Sequence, residues 1–156
     1  MIEFVNVVVA AIAGFILGLT VHSAYLHRDE ICVVTFREKE ASVVLKPTRT
    51  ALLEKEKLQQ IHVGGATPLA LGLKRGLEVI ERRAKSAVAT EFVLISDGKA
   101  NVGFSHDPFA DALSVAERIA CVATRRVFIN PSPVGKEPAL RSRCPSGLGC
   151  EERSSI

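Results

Sequence analysis

Apolar residues fall into short blocks set apart by glycine, proline and charged breaks. Val and Ile crowd residues 2–9, which read as a strand. Residues 10–26 follow with Ile12, Phe15, Ile16, Leu19 and Leu26 at helical spacing, and a helix is expected there. Glu30 to Phe36 reads as a buried strand, Arg37-Glu38-Lys39-Glu40 as a charged turn, and Ala41 to Leu45 as the second arm of a hairpin that Pro47 and Thr48 end. Thr50 to Gln60 predicts a helix with Leu52, Leu53 and Leu58 on its inner side. After the Gly64-Gly65 break, Thr67-Pro68 opens another helix, a capping hydroxyl followed by proline at the first helical position. That helix is expected to reach about Lys85, with Leu69, Leu71, Leu73, Leu77 and Ile80 as its apolar positions. Glu91 to Ser96 is a strand running into Asp97-Gly98. Asp107-Pro108 starts a last helix by the same cap logic, reaching about Ala120, and Arg126 to Ile129 is a final short strand.

This alternation predicts an α/β fold: a doubly wound, mostly parallel sheet with helices on both faces. In such sheets ligands bind beyond the carboxyl ends of the strands. The Thr67 loop and Asp97 both belong at that edge. The length of 156 residues suits one domain, with an apolar share of 47%. Aromatics make up 5% and Trp is absent, so the core is expected to be aliphatic. The domain is expected to span residues 1–130, with 1–26 an atypical apolar N-terminus. Beyond Ile129, Pro131, Pro133, Pro138 and Pro145 stand among glycines, serines and charges, and residues 131–156 are expected to be a disordered tail.

The net charge of +3 is dispersed. The densest basic group, Glu81-Arg82-Arg83-Ala84-Lys85, has mixed sign and reads as a solvated helix face, which leaves no nucleic-acid-binding pattern. Cys32 and Cys121 lie in apolar runs and are expected to be buried reduced thiols. Cys144 and Cys150 in the tail have no zinc-knuckle spacing. The four histidines, His22, His27, His62 and His106, are scattered, and no nucleophile motif or phosphate-binding loop occurs. From Phe4 to Leu26 no Asp, Glu, Lys or Arg appears, a length that can span a bilayer. The flanks, Glu3 on one side and His27-Arg28-Asp29-Glu30 on the other, lack the charge pattern of a signal or anchor and favour elements of a globular core.

Several ordered segments carry a family resemblance: Arg28-Asp29-Glu30-Ile31 leading into Val34-Thr35-Phe36-Arg37; Val44-Leu45-Lys46-Pro47-Thr48-Arg49; Gly64-Gly65-Ala66-Thr67-Pro68-Leu69-Ala70-Leu71-Gly72-Leu73; and Leu94-Ile95-Ser96-Asp97-Gly98-Lys99-Ala100-Asn101-Val102. In this order and spacing they resemble the von Willebrand factor A-type (VWA) domain at the end of magnesium-chelatase D subunits and their cobaltochelatase relatives. The likeness covers about Gly14 to Ile129. It implies a Mg²⁺ site built from a DxSxS loop after the first strand, a threonine and an aspartate. Thr67 and Asp97 would be the last two. The DxSxS loop has no counterpart: at its expected place the chain reads Phe4-Val5-Asn6-Val7-Val8-Val9-Ala10, without carboxylate or hydroxyl. The resemblance therefore implies a VWA domain truncated at its N-terminus, with a degenerate metal site and Mg²⁺ bound weakly. It also implies chelatase subunits or other proteins as partners, a cytoplasmic setting, and no catalysis by this chain alone. In the family such subunits help couple ATP hydrolysis to metal insertion into a tetrapyrrole. The alternative is a membrane-anchored VWA protein held by residues 4–26.

Overall fold

The computed structural model describes residues 4–10, 15–50, 55–59, 66–84, 88–97 and 99–130. The proline-rich segment 131–156, with Cys144 and Cys150, lies outside the described residues, as do Ile12, Leu52, Leu53, His62, Gly64, Gly65, Lys85 and Gly98.

The elements run β1 (Phe4–Ala10), α1 (Phe15–His27), β2 (Glu30–Arg37), β3 (Glu40–Thr48), α2 (Lys55–Gln59), α3 (Leu69–Ala84), β4 (Ala89–Ile95), α4 (Pro108–Val122) and β5 (Arg125–Ile129). The strands form one five-stranded sheet in the order β3-β2-β1-β4-β5. β1 pairs in parallel with β2 on one side and β4 on the other, and β5 is parallel to β4. Only β3 runs antiparallel, as the return arm of the β2–β3 hairpin. The expected α/β sheet is therefore the one observed. Its strand order reverses direction at β1, so the carboxyl ends of β1 and β4 flank the switch point where such folds place ligands.

Side-chain alternation along the strands gives the sheet two apolar faces. Cys32, Val34, Phe36, Phe92 and Leu94 point to one face. There they meet Leu69, Leu73, Leu77 and Ile80 of α3 and Ala112, Val115 and Ile119 of α4. Ile31, Val33, Val93 and Ile95 point to the other, where Val21 and Ala24 of α1 cover them and Leu58 of α2 packs at the margin. Each large aliphatic side chain buried this way contributes about 1.5–3 kcal/mol. A bulge links the two faces at the sheet edge. Val33 pairs with Leu45 but Val34 pairs with Val43, so Val44 is the extra residue. This reverses the alternation, and Val43 packs on the first face while Leu45 is buried on the second. β3 also continues through Pro47, beyond the end expected for it. It is an edge strand, where a missing N–H need not cost a ladder bond.

Three expectations need correction. The reading of residues 10–26 as one helix fails because Ala10 belongs to β1 and the helix starts at Phe15. Its inner face was also misjudged: Val21 and Ala24 are buried, whereas Leu19 is 50% and Leu26 is 65% exposed. A helix apolar on nearly every side gives periodicity no face to choose. Cys121 is exposed, not buried. On α4 the inward residues are Ala112, Val115 and Ile119, and a position two beyond Ile119 is turned by roughly 200° to the outside. Finally, Phe4–Ala10 is the central strand itself and not the site of a missing loop. The position after the first strand falls on Ala11-Ile12-Ala13-Gly14, which also carries no side-chain oxygen.

The apolar run 4–26 is thus divided between a strand paired on both sides and a helix of 13 residues. No helix among the described residues is long and apolar enough to cross a membrane.

Candidate functional site

The carboxyl edge is assembled mainly through backbone hydrogen bonds. The β2–β3 turn places Glu38 at φ 57, a left-handed conformation. Its N–H then donates to the Ala66 carbonyl at 2.9 Å. One residue on, the Thr67 carbonyl accepts from Leu69 N–H at 2.9 Å and from Asn101 N–H at 3.1 Å. The hairpin turn, the loop before α3 and the loop after β4 are therefore tied in series. The two sequence-nominated residues, Thr67 and Asp97, sit on loops that the Asn101 bond holds together.

Thr67 is half-buried. α3 begins at Leu69, and among the described residues the Thr67 hydroxyl makes no hydrogen bond, so the expected side-chain cap is not formed. The first turn of α3 is closed instead by Gly72 N–H donating to the Pro68 carbonyl at 3.1 Å. The cap logic does hold at α4. Asp107 Oδ1 accepts from Phe109 N–H at 3.1 Å and Ala110 N–H at 3.0 Å, with Pro108 at the first helical position.

Asp97 follows β4 at the edge and is half-buried. Its Oδ1 accepts from Lys99 N–H at 3.1 Å, and its Oδ2 lies 3.3 Å from Lys99 Nζ. Both oxygens are engaged by one nearby lysine. Lys99 stands in a motif quoted above but had no role there; two residues of spacing give no warning that an ammonium will fold back onto the carboxylate.

Further along the same loop, Asp111 of α4 reaches back to organise the chain. Its Oδ2 accepts from Phe104 N–H at 2.6 Å and Ser105 N–H at 2.7 Å, and its Oδ1 from Ser105 Oγ at 2.9 Å. The hydrogen bonds from Ser105 and Phe104 hold the Asp111 carboxyl below the ordinary aspartate range. The loop packs so closely that a Cβ at Gly103 would lie 2.5 Å from Asp111 Oδ2 and 2.5 Å from Pro108 Cα. Phe104 is left 49% exposed, with Lys74 Nζ 5.1 Å from its ring centroid.

A Mg²⁺ ion wants several oxygen ligands at about 2.1 Å in a near-ideal octahedron. The described residues do not fit that demand. Thr67 offers one neutral hydroxyl, and the single carboxylate of Asp97 is already paired with an ammonium. No group of three or more His, Cys, Asp or Glu side chains able to hold a metal occurs among the described residues. Cys32 is fully buried in the core, and burial pushes its thiol up to about 12, against smaller lowering influences from Arg83 and Arg75.

A mostly parallel sheet with helices on both faces, carrying Ala-Thr-Pro-Leu and Ile-Ser-Asp loops joined at its carboxyl edge, is an α/β domain of doubly wound type that fits the VWA resemblance of its motifs. No family model matches the chain. It is 39% identical over 98 residues to the magnesium-chelatase 67 kDa subunit of Chlorobaculum tepidum, an alignment covering 61% of this chain and 16% of that subunit. The chain thus spans about one sixth of that relative's length. An uncharacterised protein of Methanocaldococcus jannaschii is 30% identical over 140 residues, covering 84% of this chain and 80% of that protein. The crystal structure of the SpRpn10 VWA domain superposes at a TM-score of 0.43 with 12% identity, over 97% of this chain and all of that one, too loose a likeness to argue from. The chain belongs to the same family as the Methanocaldococcus protein, and it is similar to one part of the magnesium-chelatase subunits.

Proposed function

We propose that this chain is a protein-interaction module that works within an assembly of the magnesium-chelatase kind and carries out no chemistry of its own. The observation that carries this reading is the carboxyl edge. Three loops are fixed there by backbone hydrogen bonds, while the one carboxylate expected to bind metal is satisfied internally by Lys99. An edge so arranged presents a shaped surface without a reactive centre. The resemblance to magnesium-chelatase subunits supports chelatase-complex proteins as the partners, and with them a cytoplasmic place of action. On this reading residues 1–130 act as one unit and 131–156 are an appendage.

Mg²⁺ belongs to this reading only as a weak ligand of Thr67 and Asp97. A ligand that binds the native state well below its working concentration must raise the melting temperature. The full chain is therefore expected to melt at the same temperature with and without sub-millimolar Mg²⁺. A rise abolished by Asp97→Ala would refute the degenerate-site reading. The interaction itself is tested by sedimentation of the chain with purified magnesium-chelatase subunits, in Mg²⁺ and in chelator. Co-sedimentation that persists in chelator is expected, and its absence under both conditions would count against the proposal.

A further inference from the structure

We propose that Lys74 and Phe104 form the docking anchor of this edge, for a partner polypeptide segment that presents a carboxylate beside an apolar side chain. The inference rests on the interaction-module reading and names where, and with what chemistry, the partner is held.

Four carboxylates at the edge are already engaged. Asp97 is paired with Lys99. Asp107 is occupied by the first N–H groups of α4. Asp111 is occupied by Phe104, Ser105 and the Ser105 hydroxyl. Glu38 is paired with Arg37 at 3.1 Å. These carboxylates are compensated where they stand, the two aspartates of α4 also by the positive end of its helix dipole. Lys39 of the β2–β3 turn and Lys74 are both without a carboxylate partner among the described residues, and of the two Lys74 is the one set against an aromatic ring. It is exposed and has no carboxylate partner among the described residues, and its ammonium rests on the face of Phe104 instead. That contact is worth only about 0.5–1 kcal/mol at an exposed site, so an incoming carboxylate can compete for the ammonium.

Phe104 supplies the apolar half. A side chain so large and half-exposed is commonly mobile, but here the backbone beneath it is clamped by Asp111 and by the close approach of Gly103 to Pro108. A pre-ordered aromatic loses little entropy on binding, which is the property of an interface anchor. Phe104 stands three residues beyond Asn101, on the loop that the Asn101–Thr67 bond ties to the start of α3.

The experiment uses the full chain labelled with ¹⁵N and three blocked peptides: one alternating Glu with Leu, one with Gln for each Glu, and one with Lys for each Glu. The Glu peptide is expected to shift the amides of Lys74, Asn101, Phe104 and Ser105, and to bind roughly threefold more tightly than the Gln peptide, a difference of about 0.6 kcal/mol. Added salt should weaken it. Lys74→Glu should reverse the preference toward the Lys peptide, and Phe104→Ala should weaken the Glu and Gln peptides alike. Equal binding of Glu and Gln peptides, shifts confined to another surface, or no shifts at millimolar peptide would each overturn the anchor. Sedimentation with chelatase subunits separates this failure from that of the broader reading. If the wild-type chain co-sediments and the Lys74→Glu and Phe104→Ala variants do so equally well, the anchor is wrong and the module stands. If the wild-type chain does not co-sediment, the module reading fails first.

Discussion

Replacing Gly72 with alanine sets helix propensity against packing, and the structure says which should win. Gly72 is buried in the first turn of α3, where the helix crosses the end of β2. A Cβ there would lie 2.5 Å from Phe36 Cδ1, 2.7 Å from Cγ and 3.1 Å from Cβ. Carbon atoms pack best at about 3.5–4.0 Å, so the ring or the helix must give way by roughly an ångström. Phe36 is 3% exposed and enclosed by the α3–α4 face of the core, which leaves it no open side to turn toward. Overpacking of this kind costs about 1–3 kcal/mol, while alanine gains about 1 kcal/mol over glycine in a helix interior. Gly72→Ala is therefore expected to lose up to about 2 kcal/mol in urea unfolding, with no net gain and an unchanged slope. Phe36→Leu removes the obstacle, so the double variant should be more stable than the two separate losses predict, a coupling of at least about 0.5 kcal/mol. The amide signal of Asn101 should move in Gly72→Ala and return in the double variant, because the Thr67 carbonyl to which Asn101 donates lies two residues before the start of α3. A Gly72→Ala chain stabilised by the full propensity increment, or strict additivity with Phe36→Leu, would show that the close approach does not set the position of α3.

Other perturbations test the remaining supports of the site. Asp107→Ala removes the acceptor for Phe109 and Ala110 N–H and should cost about 1 kcal/mol of stability by chemical denaturation, whereas Asp107→Asn should keep most of it; equal losses would point to charge and not to capping. Asp111 has its folded-state pKa depressed, so the stability it contributes is present above the ordinary value near 3.8 and lost as pH falls through the lower folded value. The stability gap between wild type and Asp111→Asn should accordingly be constant from neutral pH down to about 5 and close below 3.8, and a gap that widens with acid would contradict the assigned hydrogen bonds. With its thiol pushed up to about 12 and no exposure, Cys32 should react with a thiol reagent at pH 8 only as fast as the chain opens, while exposed Cys121 reacts at once; peptide mass spectrometry showing equal rates would refute the burial.

What the sequence disclosed about this molecule follows the range of the forces involved. The start of α4 could be read residue by residue, because Asp107, Pro108 and the two N–H groups they serve are local. The α/β alternation was also legible, since strand and helix periods differ and α3 keeps a strict apolar stripe through Leu69, Leu73, Leu77 and Ile80. α1 was legible as a helix but not in its orientation. Its outer residues Leu19, Tyr25 and Leu26 are as apolar as its inner ones, and only tertiary contact with Ile31 and Val33 selects Val21 and Ala24. The same holds for the Val44 bulge, which depends on pairing with β2 and leaves no mark in the hydrophobic pattern. Asp97 lies just beyond the carboxyl end of β4, and the Asn101 bond ties the Thr67 loop to the same stretch of chain, positions that a strand end and a glycine break announce in the sequence. Asn101, Lys99 and Asp111, which decide what that edge is made of, act through one backbone N–H, one ion pair and one set of loop hydrogen bonds, and none of these has a sequence signature of its own.

These bonds also explain how such an edge can keep its form when its metal ligands are incomplete. A divalent ion that bridges loops is a structural requirement only if the loops have nothing else to hold them. Here the ties from Glu38 to Ala66 and from Asn101 to Thr67 run between main-chain atoms, so they are indifferent to the side chains at those positions. The negative charge that an ion would have balanced is met by Lys99, at the modest energy of an exposed ion pair, about 0–1 kcal/mol. The framework of these ties thus contains no metal ligand among the described residues. On this account Thr67→Ala should leave the Asn101 amide environment and the unfolding midpoint almost unchanged, since it deletes a hydroxyl that bonds to none of the described residues. Lys99→Ala should matter more, because it leaves Asp97 with a single N–H donor and an unbalanced charge beside the switch point. The ties that shape this edge are therefore expected to hold whether or not an ion is present, since each of them runs between protein atoms alone.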